Sequence, residues 1–243
     1  MGEAFAWGAL AASSLLLGGL VALWRPVGRR TLGLVMAFGA GVLISAVAYE
    51  LVDEAVATYD GNWEVTFGLA AGSLAFFAGD WWIDRQGGMH RKHSGGMQVE
   101  GSGLAIVLGI VLDGIPESVV LGLTVLEAGT VSAALLAAVF LSNLPEAVAA
   151  TAGLAQAGWK GARIIGLWLL VMAVSGLAAL AGYGLFDTAS DSTVAFMLAF
   201  AGGAVLTMLA DTMMPEAFEH GGKLVGVVTT LGFGLAFAIS ALD

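Results

Sequence analysis

The stretch LDGIPESVVLG, Leu112–Gly122, sets two carboxylates and a proline inside a long apolar run. The same Pro-Glu pair returns 29 residues later in LSNLPEAVAA, Leu141–Ala150. A spacing of four residues stacks Asp113 and Glu117 on one face of a helix, about one turn apart. Pro116 has no N–H to donate and its ring crowds the carbonyl of Leu112, so a helix here bends and one backbone oxygen loses its partner. Pro145 does the same to the carbonyl of Leu141. Irregular backbone at membrane depth is tolerated where it lines a cavity, and oxygens freed in this way are cation ligands. Each Pro-Glu unit therefore brings a bend, an oxygen and a carboxylate, and Asn143, three residues before Glu146, adds a neutral oxygen on the same face.

The surroundings are those of a membrane protein. The 243 residues are 58% hydrophobic and only 12% charged, against about 25% charged in ordinary soluble domains, and the mean hydropathy is +0.90. A hydrocarbon core of about 30 Å needs roughly 20 apolar residues per helix. Ala4–Trp24, Thr31–Tyr49, Ile164–Phe186, Ser192–Ala210 and Leu224–Leu242 qualify without a charge, and spans near 65–83, 102–124 and 130–154 qualify if they tolerate acids. The expected fold is an all-α integral membrane protein of eight transmembrane helices, one domain over residues 1–243, with a flexible cytoplasmic loop at about 84–103. The first span reads as a retained helix and not a signal peptide, because Glu3 precedes it and Arg25, Arg29 and Arg30 follow it. There is no cysteine, hence neither a disulfide nor a thiolate metal site.

With the N-terminus outside, all nine Lys and Arg residues fall in inner gaps: Arg25, Arg29 and Arg30, then Arg85, Arg91 and Lys92, then Lys160 and Arg163, then Lys223. The positive-inside rule thus supports both the count and a multi-pass topology in the cell membrane with both termini outside. The outer gaps carry Asp53, Glu54, Asp60, Glu64, Glu127, Asp187 and Asp191, which read as loop solvation or as a negative vestibule that concentrates cations. Asp80 and Asp84 flank Trp81 and Trp82 at the inner boundary, an interfacial belt.

Ala37–Ala55 aligns without gaps with Ala199–Ala217 at an offset of 162, six of 19 positions being identical. The second and seventh spans run in opposite directions, so the match implies an inverted repeat of helices 1–3 and 6–8 around a central pair, helices 4 and 5, a transporter trait. GIPESV and NLPEAV form a second, inner pair of repeats. Many of the 36 glycines read as close helix packing.

An ionised carboxylate at the bilayer centre costs at least about 2.5 to 3.5 kcal/mol, so such groups face a partner or a water-filled cavity. Asp113, Glu117 and Glu146 lie mid-span, and every Lys, Arg and His falls outside the spans. The acids are therefore either protonated, bonded to hydroxyls such as Ser118 and Ser142, or hold a cation taken from solution; three of them in duplicated context favour the cation. Oxygen donors without thiolate suit hard or borderline divalent ions, including Mg, Mn, Fe(II) and Zn.

DGIPES and NLPEA on consecutive helices, with DTMMPEA from Asp211 and YELVDEA from Tyr49, resemble the ZIP family of metal-ion transporters, and the likeness covers nearly the whole chain. The resemblance implies a central site for zinc or another divalent metal on helices 4 and 5, with uptake toward the cytoplasm. By position it gives Glu117 and Glu146 the family's metal-binding glutamates and Asn143 a polar ligand position. Asp113 stands where the family has a histidine, Gly114 where a second polar ligand is common, and Asp211 with Thr212 where the exit route has His and Glu; Ser175 is the nearest residue to an acid that some members carry on helix 6. The expected metal residues are Asp113, Glu117, Asn143, Glu146 and Asp211. The substrate is a divalent metal ion, zinc first, with manganese or iron favoured by an all-oxygen donor set.

Glu216, Glu219 and His220 read either as part of an inner exit path or as a solvated helix end, Glu50 as a mark of the outer entrance, and His90 and His93 as ordinary loop residues or a weak metal sensor. The other functions weighed are a calcium/sodium-type cation exchanger and a non-transporting metal-binding sensor. An enzyme is not expected, since no His-Glu-x-x-His occurs. The partners are the lipid bilayer and divalent metal ions, with room for a homodimer and no nucleic acid.

Overall fold

The computed structural model describes residues 1–25, 27–60, 62–85 and 102–242. The glycine-rich loop with His90 and His93, and the side chains of Asp84 and Glu127, lie outside what is described. Among the described residues the chain is entirely helical, with no strand. The order is α1 (Gly2–Trp24), α2 (Arg29–Ala46), a π turn (Val47–Val52), α3 (Asp53–Thr58), α4 (Asn62–Arg85), α5 (Ser102–Ala128) and α6 (Ala133–Gln156). Then follow α7 (Gly161–Phe186), α8 (Asp191–Met208), a second π turn (Leu209–Met213), α9 (Met214–Gly221), a short 3-10 turn (Gly222–Leu224) and α10 (Val225–Ser240).

Among the described residues, six stretches are long and apolar enough to cross a membrane: Gly2–Trp24, Arg29–Thr58, Val107–Leu126, Ala133–Gln156, Gly161–Phe186 and the 50-residue Asp191–Ser240. Polarity is inverted relative to a soluble protein. Leu10, Leu17, Phe67, Leu74, Leu170, Leu177, Val227 and Leu231 are exposed, while Asp113, Glu117, Ser142, Asn143, Thr151 and Glu216 are buried. Such a surface is matched to lipid, and burying polar groups in the bundle spares them contact with hydrocarbon. The guanidinium groups of Arg85 and Arg163 lie 3.7 Å from the ring centroids of Trp81 and Trp159. These cation–π pairs at helix ends suit the polar boundary of a membrane.

The helices pack in matched pairs. α4 packs along α8, and α10 along α2; α6 packs on α1, and α5 on α7. α1 and α7 meet antiparallel along their length, with Leu23 beside Gly161 and Met1 beside Gly184. The two π turns begin at Val47 and Leu209, 162 residues apart, the same offset that relates the two similar sequences.

Gly41 and Gly203 share that offset too, and both stand where another backbone touches. A Cβ on Gly41 would strike the carbonyl oxygen of Thr229 on α10, and one on Gly203 the carbonyl oxygen of Leu69 on α4. Neither obstacle is a side chain that can swing aside. Gly41→Ala and Gly203→Ala are each expected to destabilise the bundle by about 1 to 3 kcal/mol, the usual cost of overpacking. Thermal unfolding in detergent checks this, with Gly226→Ala, where a Cβ meets nothing within 4 Å, as the control.

Candidate functional site

Four helical segments meet around the acids. Gly109, Ile110 and Asp113 come from α5, Glu146, Ala149 and Ala150 from α6, Thr212, Met213 and Glu216 from the second π turn and α9, and Met36 from α2; together they line a cavity of about 40 Å³. Their spacings of three and four residues present one face of each helix inward. One water needs roughly 10–15 Å³, so the cavity has room for a small cation that keeps part of its hydration. Among the described residues that line it, none is cationic.

Asp113, Glu117, Asn143 and Glu216 are each no more than 7% exposed, and Glu146 is half-buried. Glu117 is not among the cavity-lining residues, yet the charges of Glu146 and Asp113 act on it directly. Its Oε2 is buried and has no hydrogen-bond partner among the described residues. Ser118 Oγ donates to the carbonyl of Gly114 at 2.7 Å and Ser142 Oγ to that of Val139 at 3.0 Å. Both hydroxyl protons are thus spent on backbone one turn earlier and leave the carboxylates to other company.

Both prolines lie inside continuous helices, Pro116 in α5 and Pro145 in α6. The carbonyl of Leu141, which Pro145 leaves without an intrahelical donor, faces α2 at Gly39, where a Cβ would stand 3.3 Å from that oxygen. The glycine lets α2 close over the bend.

Asp211 stands apart from this group. It is exposed and lines a wide groove between α4 and α8 with Ser73, Phe77 and Thr207, where the hydroxyls of Thr207 and Ser73 bond at 2.7 Å. Glu216, five residues on, faces the cavity instead. A spacing of five residues is roughly 140° around a regular helix of 3.6 residues per turn, and the wider π turn between them resets that phase. π turns are frequent at functional sites for this reason. The signal that points to Glu216 is a third Pro-Glu: of the four prolines Pro26, Pro116, Pro145 and Pro215, three are followed directly by glutamate. Met36 and Thr212 carry no comparable mark. Ser175 is buried on α7 and does not belong to the cavity lining.

Among the described residues no three His, Asp or Glu side chains are gathered into a ready-made metal cage. Carboxylates without a cation between them repel one another, so a site built from acids alone tightens only around its ion. Compared with known proteins, the chain matches no family model and no curated protein.

Two substitutions separate the cavity from the groove. Glu216→Ala is expected to weaken binding of a divalent ion at least about tenfold, the low end of what removing even an outer partner of a metal ligand costs. Asp211→Ala is expected to leave it within about twofold, because its carboxylate faces the groove between α4 and α8. Calorimetric titration of the detergent-solubilised variants reads both.

Proposed function

We propose that this protein carries divalent metal ions across a membrane, holding the ion with Asp113, Glu117, Asn143, Glu146 and Glu216. The observation that carries the reading is the convergence of carboxylates from α5, α6 and α9 on one cavity inside an apolar bundle, with no cationic side chain among the described residues that line it. Such acids are costly in a membrane and are kept for ions or protons in transit. Eight crossings follow when α4 is counted and the 50-residue stretch is divided at Gly222, whose φ of 66° breaks the helix. A span of 50 residues would be about 75 Å long as one helix, far beyond a 30 Å core.

An inverted repeat of helices 1–3 and 6–8 is supported by the matched helix pairs, by Gly41 and Gly203, and by π turns at equivalent positions. Repeats of that kind support alternating access around a central site. The two Pro-Glu helices resemble those of the ZIP family, and the positions of the nine cations support a cytoplasmic side for the cavity-side helix ends. The direction we propose is therefore uptake. Oxygen donors together with the thioether of Met36 suit borderline ions, zinc first, with manganese and iron behind it. Uptake into proteoliposomes by the wild-type chain and by Glu146→Ala, with a panel of competing divalent ions, tests the reading; undiminished flux through the variant sinks it.

A further inference from the structure

The cavity lies wholly on one side of the two prolines. On α5 its lining precedes Pro116, and on α6 Glu146 and the two lining alanines follow Pro145; residues 129–132 join the two helices at the opposite end. Toward that opposite end the bundle is filled with apolar side chains. Val120, Leu121 and Leu123 of α5, Leu135, Ala138 and Val139 of α6, and Val47 and Leu51 of the first π turn are each no more than 3% exposed and form an apolar plug there, part of a buried cluster that runs on through the bundle to Met36 and Met213 beside the cavity.

Beside this plug Glu50 Oε2 accepts a hydrogen bond from Ser132 Oγ at 2.5 Å. The same Ser132 oxygen accepts the N–H of Leu135 at 3.1 Å and so caps α6. A carboxylate from the first π turn is thereby tied to the positive end of the helix that carries Asn143 and Glu146, where the helix dipole favours it. The position 162 residues after Glu50 is Thr212. It lines the cavity, and its hydroxyl bonds back to Met208 O of its own helix at 2.5 Å. Of two equivalent positions, one is fastened across the bundle at the plugged end, and the other turns inward upon itself at the hollow end.

We infer that the Glu50–Ser132 hydrogen bond is a latch that keeps the plugged end shut while the cavity is formed at the other, and that the site opens toward Ser132 only when this bond breaks. The inference rests on the transport reading, which requires the site to face each side in turn. A hydrogen bond to a charged group is worth more than a neutral one. Its loss is expected to raise the open population about tenfold, equivalent to about 1.4 kcal/mol.

The chain has no cysteine of its own, so single cysteines report opening directly through their rate of maleimide labelling in detergent without metal. Ala138→Cys, in the plug, is expected to label slowly alone and about tenfold faster when combined with Glu50→Ala or Ser132→Ala. Ser132→Thr, which keeps both the cap and the donor, is expected to leave the rate unchanged. Ala149→Cys, in the cavity, verifies folding by labelling at a similar rate in every background, and Ala134→Cys replaces Ala138→Cys if that variant does not fold. Ala12→Cys, buried in the separate cluster between α1, α6 and α7, guards against general loosening. An unchanged Ala138→Cys rate, or a rise that Ala12→Cys shares equally, overturns the latch. Neither outcome touches the transport reading, which stands or falls on flux through Glu146→Ala.

Discussion

Alanine in place of Glu146 is expected to reduce metal uptake by about 100-fold or more, with the protein still folded. The side chain is half-buried and reaches a cavity shared with Asp113 and Glu216, so on the proposed function its removal deletes both a ligand and a unit of the charge that offsets the dehydration of a divalent ion. Outer-shell partners of metal ligands are typically worth about 10- to 100-fold in affinity, and a direct ligand sets a higher floor. Initial rates in proteoliposomes are the measurement, with zinc, manganese and iron(II) each supplied alone. Glu54→Ala, exposed on α3, is expected to transport normally and controls for a simple loss of negative surface. A loss confined to one metal would assign selectivity to Glu146; loss for all assigns it to the site common to them.

Glu117→Gln is expected to do two opposed things, stabilising the protein while abolishing its response to metal. Glu117 Oε2 is buried without a hydrogen-bond partner among the described residues, and Glu146 and Asp113 act on it as like charges. Glutamine keeps the shape and removes the charge. The amide is still a buried polar group, so the gain is the relieved repulsion alone, and in a chain of 150 to 250 residues each kcal/mol is about 2 to 4 °C in Tm. The melting temperature in detergent is therefore expected to rise by about 2 to 4 °C for each kcal/mol relieved. The wild-type protein, by contrast, gains about 2.7 kcal/mol from a ligand at 100 times its Kd, and the variant is expected to lose most of that gain. A lower Tm with an intact metal response would make Glu117 a structural group.

The helices themselves were legible in the sequence because apolar runs and terminal charges are local signals. Gly2–Trp24 and Gly161–Phe186 lie within three residues of the runs read from composition. The second span was read too short. It continues through the π turn to Thr58, because Glu50, Asp53 and Glu54 were taken to end it, whereas the helix carries them onward. That α5 and α6 each carry an acid beside a proline in an apolar helix was legible for the same local reason. Asp211 and Glu216 were not separable in this way. Which of them faces inward depends on the hydrogen-bond register of residues 209–213, and no composition or four-residue spacing encodes that. Met36 is equally silent, since a methionine on a buried face reads as core until a cavity is found beside it.

The second π turn fixes more than its own five residues. A π turn fits one more residue into a single turn than an α-helix does, so the residues beyond it sit about 100° from where an unbroken α-helix of the same sequence would put them. Were residues 209–213 to take ordinary α geometry with every residue kept, Pro215 and Glu216 would swing round, away from α5 and α6, although no side chain had been replaced. The direction of Glu216 is thus set by backbone hydrogen bonding in the turn before it, and removing one residue from that wide turn would compensate the rotation instead of adding to it.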